Sequence, residues 1–224
     1  MTPSTGWYLP AKRFLDTGVT VALLPLVAPV LAVACAASFL IDGPPVLFRQ
    51  RRVGWFGQQF TLIKLRTMRG TAGAGRAYAE RERITTLGSV LRRLHIDELP
   101  QLVHVLTGDM ALVGPRPLSP GHVAEIQPGR RATVRPGFTC FAQLELLEHG
   151  YLDKHRQVAL DEEYVQRIGL GTDAVILART VAALVTGRPG RRPLAWFDPQ
   201  GAGWPPDKPR PRTRSGVIGP SRTR

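Results

Sequence analysis

The chain contains one long stretch without charged side chains, residues 17–41. Its 25 residues exceed the roughly 20 that an apolar helix needs to cross a lipid bilayer. Lys12 and Arg13 precede the stretch, and no cleavage site of small residues in a polar context follows it, which argues against a removed signal peptide. The stretch therefore predicts a membrane-embedded helix near the N-terminus.

Two prolines, Pro25 and Pro29, lie in the middle of this stretch. Each proline removes a backbone hydrogen bond and can kink a helix. A kinked helix that enters one leaflet and returns would keep the basic residues of both flanks, such as Lys12 and Arg49, on the same side of the membrane. An ordinary spanning helix also accommodates proline, so residues 17–41 alone leave the two topologies open.

The chain carries a formal net charge of +13, and its last segment is especially basic. Residues 188–224 hold nine Arg or Lys against two Asp, together with eight prolines and little periodicity. This composition is typical of a disordered tail. The positive charge favours an anionic partner, which could be nucleic acid, the inner leaflet of a membrane or a phosphorylated substrate.

The middle of the chain predicts an α+β fold that is mostly helical and contains a short β-hairpin. Segments 46–51 and 59–66 alternate as short strands do, around Gly54 and Gly57. Segment 135–139 begins with Arg-Pro-Gly and predicts a tight turn.

Three further segments predict helices. Residues 86–94 predict a short one, and residues 97–106 a second, which Asp97 can cap because Pro100 then falls in the first turn, where proline is tolerated. Residues 172–186 predict a last apolar helix, with the initial Thr and Asp supplying its cap. Capping explains Asp97 without any catalytic role, but it leaves the adjacent Glu98 unexplained.

Adjacent carboxylates at Asp97 and Glu98 can also perform chemistry on phosphate. A carboxylate can attack phosphorus and form an acyl phosphate, which divides one displacement into two. Such an attack requires the phosphate charge to be neutralised by a metal ion and by Arg or Lys, and the second carboxylate can hold that metal. The candidate cations are Lys64, Arg66, Arg92 and Arg116.

Other catalytic designs lack their sequence patterns. There is no Gly-rich loop ending in Gly-Lys-Ser/Thr, no Rossmann glycine fingerprint and no nucleophile elbow. No Cys/His group has the spacing of a zinc site. Cys35 lies in the apolar stretch and Cys140 in a polar region, so a disulfide between them is not expected and the pair fits a reduced, cytosol-facing protein.

A series of short motifs, in order from about Lys12 to Thr186, resembles the bacterial sugar transferases. These enzymes are also called monotopic phosphoglycosyl transferases or polyprenyl-phosphate hexose-1-phosphate transferases, and the chain is similar to their small, minimal type. It departs from the family's usual pattern just before the carboxylate pair Asp97–Glu98, where residues 94–96 are Leu-His-Ile. The matching motifs are KRFLD (12–16), GPPVLFRQ (43–50), KLRTM (64–68), DELPQL (97–102), GDM (108–110), VGPRP (113–117) and RPG (135–137).

The resemblance implies a transfer of sugar 1-phosphate from a UDP-sugar to undecaprenyl phosphate, with release of UMP. It implies Asp97 as the nucleophile, through a phospho-aspartyl intermediate, and Glu98 as the Mg²⁺-binding partner, with Asp97 as the adjacent metal ligand. It also implies a re-entrant helix broken near Pro25, which favours that topology over the spanning one. The family's basic residues correspond to Lys64, Arg92 and Arg116.

The same resemblance divides the chain into a membrane-embedded helix (1–42), a cytoplasmic catalytic domain (43–187) and the basic tail (188–224). It implies a place on the cytoplasmic face of the bacterial inner membrane, in contact with inner-leaflet lipid, and it leaves a homodimer open. The alternative is a membrane-tethered scaffold or nucleic-acid-binding protein without catalysis. The tail has few aromatic residues and no nucleic-acid-binding module is visible, so we expect no nucleic-acid partner.

Overall fold

The apolar stretch lies within one helix of 35 residues, α1, in a computed structural model that describes residues 8–70, 83–121, 129–149, 152 and 154–186. The predicted basic tail, residues 188–224, lies outside these described residues. After α1 the chain forms a hairpin, further helices and a second pair of strands. The elements are α1 (Tyr8–Asp42), β1 (Leu47–Val53), β2 (Gln59–Leu65), α2 (Thr86–Arg93), α3 (Leu102–Thr107), β3 (Ala111–Val113), β4 (Gly137–Thr139), α4 (Phe141–His149), α5 (Lys154–Arg167) and α6 (Leu170–Thr186).

By length and composition, helix α1 could cross a membrane. It is the one helix in the described part of the chain that meets these two criteria. At 1.5 Å per residue it would be about 52 Å long if straight. Pro25 and Pro29 both lie inside it. Its outward surface is rich in exposed apolar side chains, which suits contact with lipid. The most exposed are Phe14, Leu26, Val33, Phe39, Leu40 and Ile41.

Both ends of α1 pack against the rest of the protein, whereas most of its middle is exposed. In the N-terminal half, Lys12, Asp16 and Thr20 are buried. In the C-terminal half, Ala34 is buried against β2 and α2, and the Asp42 carboxylate accepts a 2.9 Å hydrogen bond from the Thr85 hydroxyl. The helix therefore begins and ends on the same globular body.

A buried polar network joins the start of α1 to α6. The Lys12 ammonium lies 2.6 Å from one Asp173 oxygen and 3.1 Å from Asp16. The Tyr8 hydroxyl donates to Asp173 at 2.7 Å, and the Tyr164 hydroxyl donates to the other Asp173 oxygen at 2.8 Å. A buried charge is stable only when it is paired and hydrogen-bonded, so this network specifies how α1 docks.

The predicted hairpin is confirmed. Strands β1 and β2 are antiparallel, with Leu47 opposite Leu65 and Val53 opposite Gln59. In β2, Leu62 and Leu65 are buried and lie on opposite faces, and Lys64 shares the face of Leu62, because side chains alternate along a strand. The hairpin thus carries a cation close to the core.

The predicted turn at residues 135–139 is wrong, because part of this segment is a strand. Residues of β4 pair in parallel with those of β3. The two backbones approach so closely that a Cβ atom at Gly137 would lie 2.1 Å from the amide nitrogen of Gly114. Glycine allows this contact, and a three-residue strand is too short to produce an alternating pattern.

The predicted helix at residues 86–94 is confirmed as α2, but the capping interpretation of Asp97 is wrong. Residues Ile96–Gln101 form a 3₁₀ helix that leads into α3, and Asp97 lies inside its first turn. His95 occupies the N-cap position in a left-handed conformation, with a φ of 56°, and its side chain makes no capping hydrogen bond. The Asp97 carboxylate is therefore not used to cap a helix.

The last helix also begins earlier than predicted. Helix α6 starts at Leu170, and the Asp173 carboxylate belongs to the buried network with Lys12 instead of a cap. Nearby, Ile176 is fully buried in the main core, which also contains Val105, Met110, Val113, Leu160 and Tyr164.

Candidate active site

The predicted site residues reach one region of the protein from four different elements. Lys64 lies in β2, Arg92 in the last turn of α2, Asp97 and Glu98 in the 3₁₀ helix, and Arg116 in the loop after β3. Lys64 and Arg92 both interact electrostatically with Asp97. The fold therefore gathers the carboxylate pair and its cations, although they are far apart along the chain.

Asp97 is buried, with 6% of its surface exposed. Burial raises the pKa of its carboxyl group and the neighbouring Glu98 raises it further, whereas Lys64, Arg92 and His95 lower it. Among the residues that the structure describes, none forms a hydrogen bond or an ion pair within 4 Å with this carboxylate. Its oxygen lone pairs therefore remain available to an incoming electrophile.

The two cations beside Asp97 are held in different ways. Burial lowers the pKa of Lys64, while the nearby Asp97 and Glu98 raise it; its ammonium lies 5.4 Å from the centre of the Phe48 ring. The Arg92 Nε atom donates a 2.7 Å hydrogen bond to the Thr67 hydroxyl. In the part of the chain that the structure describes, the other guanidinium nitrogens of Arg92 form no hydrogen bond.

A chain of hydrogen bonds connects Glu98 to Arg116 through Gln143. The Arg116 guanidinium donates to the Gln143 side-chain oxygen, and the Gln143 amide nitrogen donates to Glu98 at 3.3 Å. Gln143 was not predicted as a site residue, because the prediction relied on charged side chains and the glutamine side chain is neutral. Its position in the fold makes it the link between the second carboxylate and a predicted phosphate-binding cation.

A buried carboxylate, Asp161, holds the backbone of Arg116 in place. Its amide nitrogen donates to Asp161 at 3.3 Å, and Asp161 in turn forms a 2.7 Å ion pair with Arg131. Burial raises the pKa of Asp161 to about 6, against the effect of Arg131. Together with the flanking prolines Pro115 and Pro117, this pair restricts the motion of the loop that carries Arg116.

Arg66 differs from the other predicted cations. Its guanidinium donates to the backbone carbonyls of Asp42 at 2.7 Å and Pro44 at 3.0 Å, and also to that of Gly43. These carbonyls mark the C-terminal end of α1, where an arginine satisfies otherwise unpaired acceptors. Arg66 also lines the larger cavity described next, so its phosphate-binding role stays a prediction.

Two cavities lie on either side of a wall formed by Arg52 and Lys64. The larger, of about 320 Å³, is also lined by Phe48, Arg66, Arg83 and Arg92. The smaller, of about 40 Å³, is also lined by Glu98, Arg116, Cys140 and Gln143. Burial raises the pKa of the Cys140 thiol to about 12, so this cysteine is protonated at neutral pH and the carboxylates remain the candidate nucleophiles.

The donor set fits a magnesium ion that is completed by a phosphorylated ligand. In the described ranges, no group of three or more His, Cys, Asp or Glu residues could hold a metal ion. Mg²⁺ in proteins is often bound by only one or two carboxylates together with substrate phosphates. Asp97 and Glu98 supply two hard oxygen donors of that kind.

Comparison with known proteins identifies the family of this chain. The family model described as "Bacterial sugar transferase" matches residues 7–187. The chain is 42% identical over 186 residues to the UDP-glucose:undecaprenyl-phosphate glucose-1-phosphate transferase of Caulobacter vibrioides, an alignment that covers 78% of this chain and 70% of that protein. It is 37% identical over 174 residues to the uncharacterized sugar transferase EpsL of Bacillus subtilis, covering 76% of this chain and 85% of that protein.

A third relative is considerably longer. The UDP-N-acetylgalactosamine-undecaprenyl-phosphate N-acetylgalactosaminephosphotransferase of Aeromonas hydrophila is 35% identical over 189 residues, which cover 79% of this chain but 44% of that protein. The predicted resemblance is confirmed by the family model, which spans α1, the hairpin, the carboxylate pair and α6. The chain therefore belongs to the bacterial sugar transferase family, and it is a phosphoglycosyl transferase.

Proposed function

We propose that this enzyme transfers a sugar 1-phosphate from a UDP-sugar to undecaprenyl phosphate and releases UMP, as the first membrane step in the biosynthesis of a glycan such as an exopolysaccharide. The observation that carries the proposal is the buried Asp97 carboxylate, which is unpaired within the described residues and lies among Lys64, Arg92 and the Glu98–Gln143–Arg116 chain. The names of the Caulobacter and Aeromonas relatives support the donor and the acceptor. The non-catalytic scaffold alternative is set aside, because the family is one of enzymes.

The proposed reaction has two displacements at one phosphorus atom. An Asp97 carboxylate oxygen attacks the phosphorus that bears the sugar, the bond from that phosphorus to the bridging oxygen breaks, and UMP leaves with that oxygen. A phosphate oxygen of undecaprenyl phosphate then attacks the same phosphorus, and the bond to Asp97 breaks. The products are the lipid diphosphate sugar and the regenerated carboxylate. Lys64, Arg92 and Arg116 offset the negative charge on the phosphoryl oxygens in both displacements.

Glu98 and Asp97 would together hold Mg²⁺, which supplies charge neutralisation at the diphosphate. We therefore expect excess EDTA to lower UMP release at least about tenfold and added Mg²⁺ to restore it. The measurement is initial UMP release in detergent before and after chelation. Treating a matched sample with EDTA already saturated by Mg²⁺ controls for effects of the chelator itself, and full activity in free EDTA would remove the metal from the proposal.

Helix α1 is proposed to enter the cytoplasmic leaflet of the bacterial inner membrane and return. The contacts at both of its ends support this topology. Lys12 pairs with Asp173 near the start, and Asp42 accepts from Thr85 at the end, both within the globular part. A straight span would need to free about 20 consecutive residues from that body to cross the hydrocarbon. The exposed middle of α1 and its two prolines suit a shallow, bent insertion.

Replacing Pro25 and Pro29 together with Leu should favour a spanning helix, because it restores two backbone hydrogen bonds in the middle of α1. Tags on the N-terminus and the C-terminus, probed in intact cells with a reagent that cannot cross the membrane, report the topology. We expect both tags of the wild-type enzyme to be protected and the N-terminal tag of the double variant to become labelled. An N-terminal tag labelled from outside in the wild type would contradict the re-entrant proposal.

The proposed reaction itself is tested with a panel of UDP-sugars and undecaprenyl phosphate in detergent. We expect UMP release with one donor or a few, and a matching lipid-linked sugar by mass spectrometry. Release of UDP in place of UMP would indicate a transfer of sugar without its phosphate and would reject the proposal.

A further inference from the structure

Arg52 lies in β1 and has no role in the reaction described so far. Its side chain lines both cavities, and among the cations considered above it shares that position with Lys64 alone. The guanidinium is oriented by two acceptors: Nη1 donates to the Pro117 carbonyl at 3.1 Å and Nη2 donates to the Gln50 side-chain oxygen at 2.7 Å. The charge is thus held at the wall between the two spaces.

The bonding capacity of Arg52 is incompletely used. Its Nε atom is buried and makes no hydrogen bond within the described part of the chain, where no carboxylate lies within 4 Å of the guanidinium either. Both acceptors of its Nη atoms are neutral. A partly buried guanidinium without a carboxylate is costly to keep, and arginine's planar fork matches the geometry of phosphate.

The charges around the two cavities favour an anionic ligand. Six cations line the two cavities, namely Arg52, Lys64, Arg66, Arg83, Arg92 and Arg116, and Glu98 is the one carboxylate in the described linings. The diphosphate of a UDP-sugar carries two negative charges. Glu98 and Arg116 both interact electrostatically with Arg52, so the arginine belongs to the same charged group.

We propose that Arg52 is a further phosphate-binding residue of this enzyme, and that it contacts the transferred phosphoryl group from the wall shared by the two cavities. The inference rests on the proposed function. Because Arg52 faces both spaces, it can contact that phosphoryl group while UMP departs and while the lipid phosphate arrives. Lys64 occupies the same wall, so the two cations together flank the phosphorus.

The test compares Arg52→Met with Arg51→Met, a matched control on the same strand whose side chain is exposed. Methionine keeps a long apolar stem and removes the charge. The measurement is the dissociation constant of UDP by calorimetry in detergent with Mg²⁺ present. We expect R52M to bind UDP at least about tenfold more weakly than the wild type, a difference of about 1.4 kcal/mol, and R51M to remain within about twofold. The kcat/KM for undecaprenyl phosphate should fall in R52M as well.

A purely structural role for Arg52 makes a different prediction. If the side chain only supports the loop at Pro117, R52M should lower the melting temperature of the ligand-free protein and leave UDP affinity unchanged once folded. Should R52M not fold, Arg52→Lys keeps the charge and loses the fork, and we expect UDP binding several-fold weaker than in Arg51→Lys. If R52M or R52K binds UDP as tightly as its Arg51 control, the inference about Arg52 is overturned. The proposed function is still supported in that case, provided that the wild-type enzyme releases UMP. A wild type that releases no UMP from any donor would overturn both.

Discussion

Replacing Asp97 with Asn should lower UMP release by at least about 10⁴-fold, the scale typical of removing a covalent nucleophile. The amide has the shape of the carboxylate but lacks the anionic oxygen that we propose as the nucleophile. No other described group can substitute for it: Glu98 is engaged by Gln143, and the Cys140 thiol is protonated. The measurement is initial UMP release with the preferred donor, together with mass spectrometry to exclude deamidation of the Asn.

The same variant should keep its fold. Burial raises the pKa of Asp97 in the folded state above its value in the unfolded chain. At neutral pH the ionised carboxylate therefore disfavours the folded state, and the contribution is lost only when the group is protonated at low pH. Asn removes that unfavourable charge, so the melting temperature should not fall. Turnover within about tenfold of wild type would exclude Asp97 as the nucleophile, and a phosphosugar adduct on an Asp97 peptide of the wild type would support the covalent route.

Replacing Lys12 with Met should destabilise the protein by about 3–5 kcal/mol, the usual cost of leaving a buried charge without its partner. Two buried carboxylates, Asp16 and Asp173, would then lose the ammonium group that lies within 3.2 Å of both. The measurement is the midpoint of urea unfolding in detergent. Lys12 therefore contributes to the free energy of unfolding, although it lies far from Asp97 and Glu98 along the chain.

A matched variant separates charge from packing. The triple change Lys12→Met, Asp16→Asn and Asp173→Asn removes the three charges together and keeps similar side-chain volumes. It should recover a large part of the stability lost in the single variant, because no unpaired charge remains. A wild-type midpoint for Lys12→Met alone would mean that the network contributes little to docking α1.

Local patterns predicted the elements whose signal is long or repeated. The membrane-type helix and the hairpin follow from an uncharged run of 25 residues and from two alternating strands, and α2 was predicted as a short helix over residues 86–94. The parallel pair of β3 and β4 could not be found in this way, because each strand has three residues and the pairing joins segments more than twenty residues apart.

Side-chain roles were harder to predict than elements, since they depend on partners distant in the chain. Asp173 has the right position for a helix cap, yet its carboxylate binds Lys12, 161 residues away. Asp97 also has the sequence pattern of a helix cap. In the structure, however, the 3₁₀ helix begins at Ile96 and the left-handed His95 occupies the N-cap position. Gln143 and Arg52 acquire their significance only when the fold brings them beside Glu98 and the two cavities.

The hydrogen bonds of Arg66 connect the membrane-type helix α1 directly to strand β2, which carries Lys64. Its guanidinium holds the final carbonyls of α1, while its backbone continues β2, two residues after Lys64. We therefore expect a change in the tilt or depth of α1 to displace Lys64 as well. If α1 inserts as proposed, we expect the reaction rate to depend on bilayer thickness, because lipids with shorter or longer chains would move the Lys64 ammonium relative to the plane of the lipid phosphates.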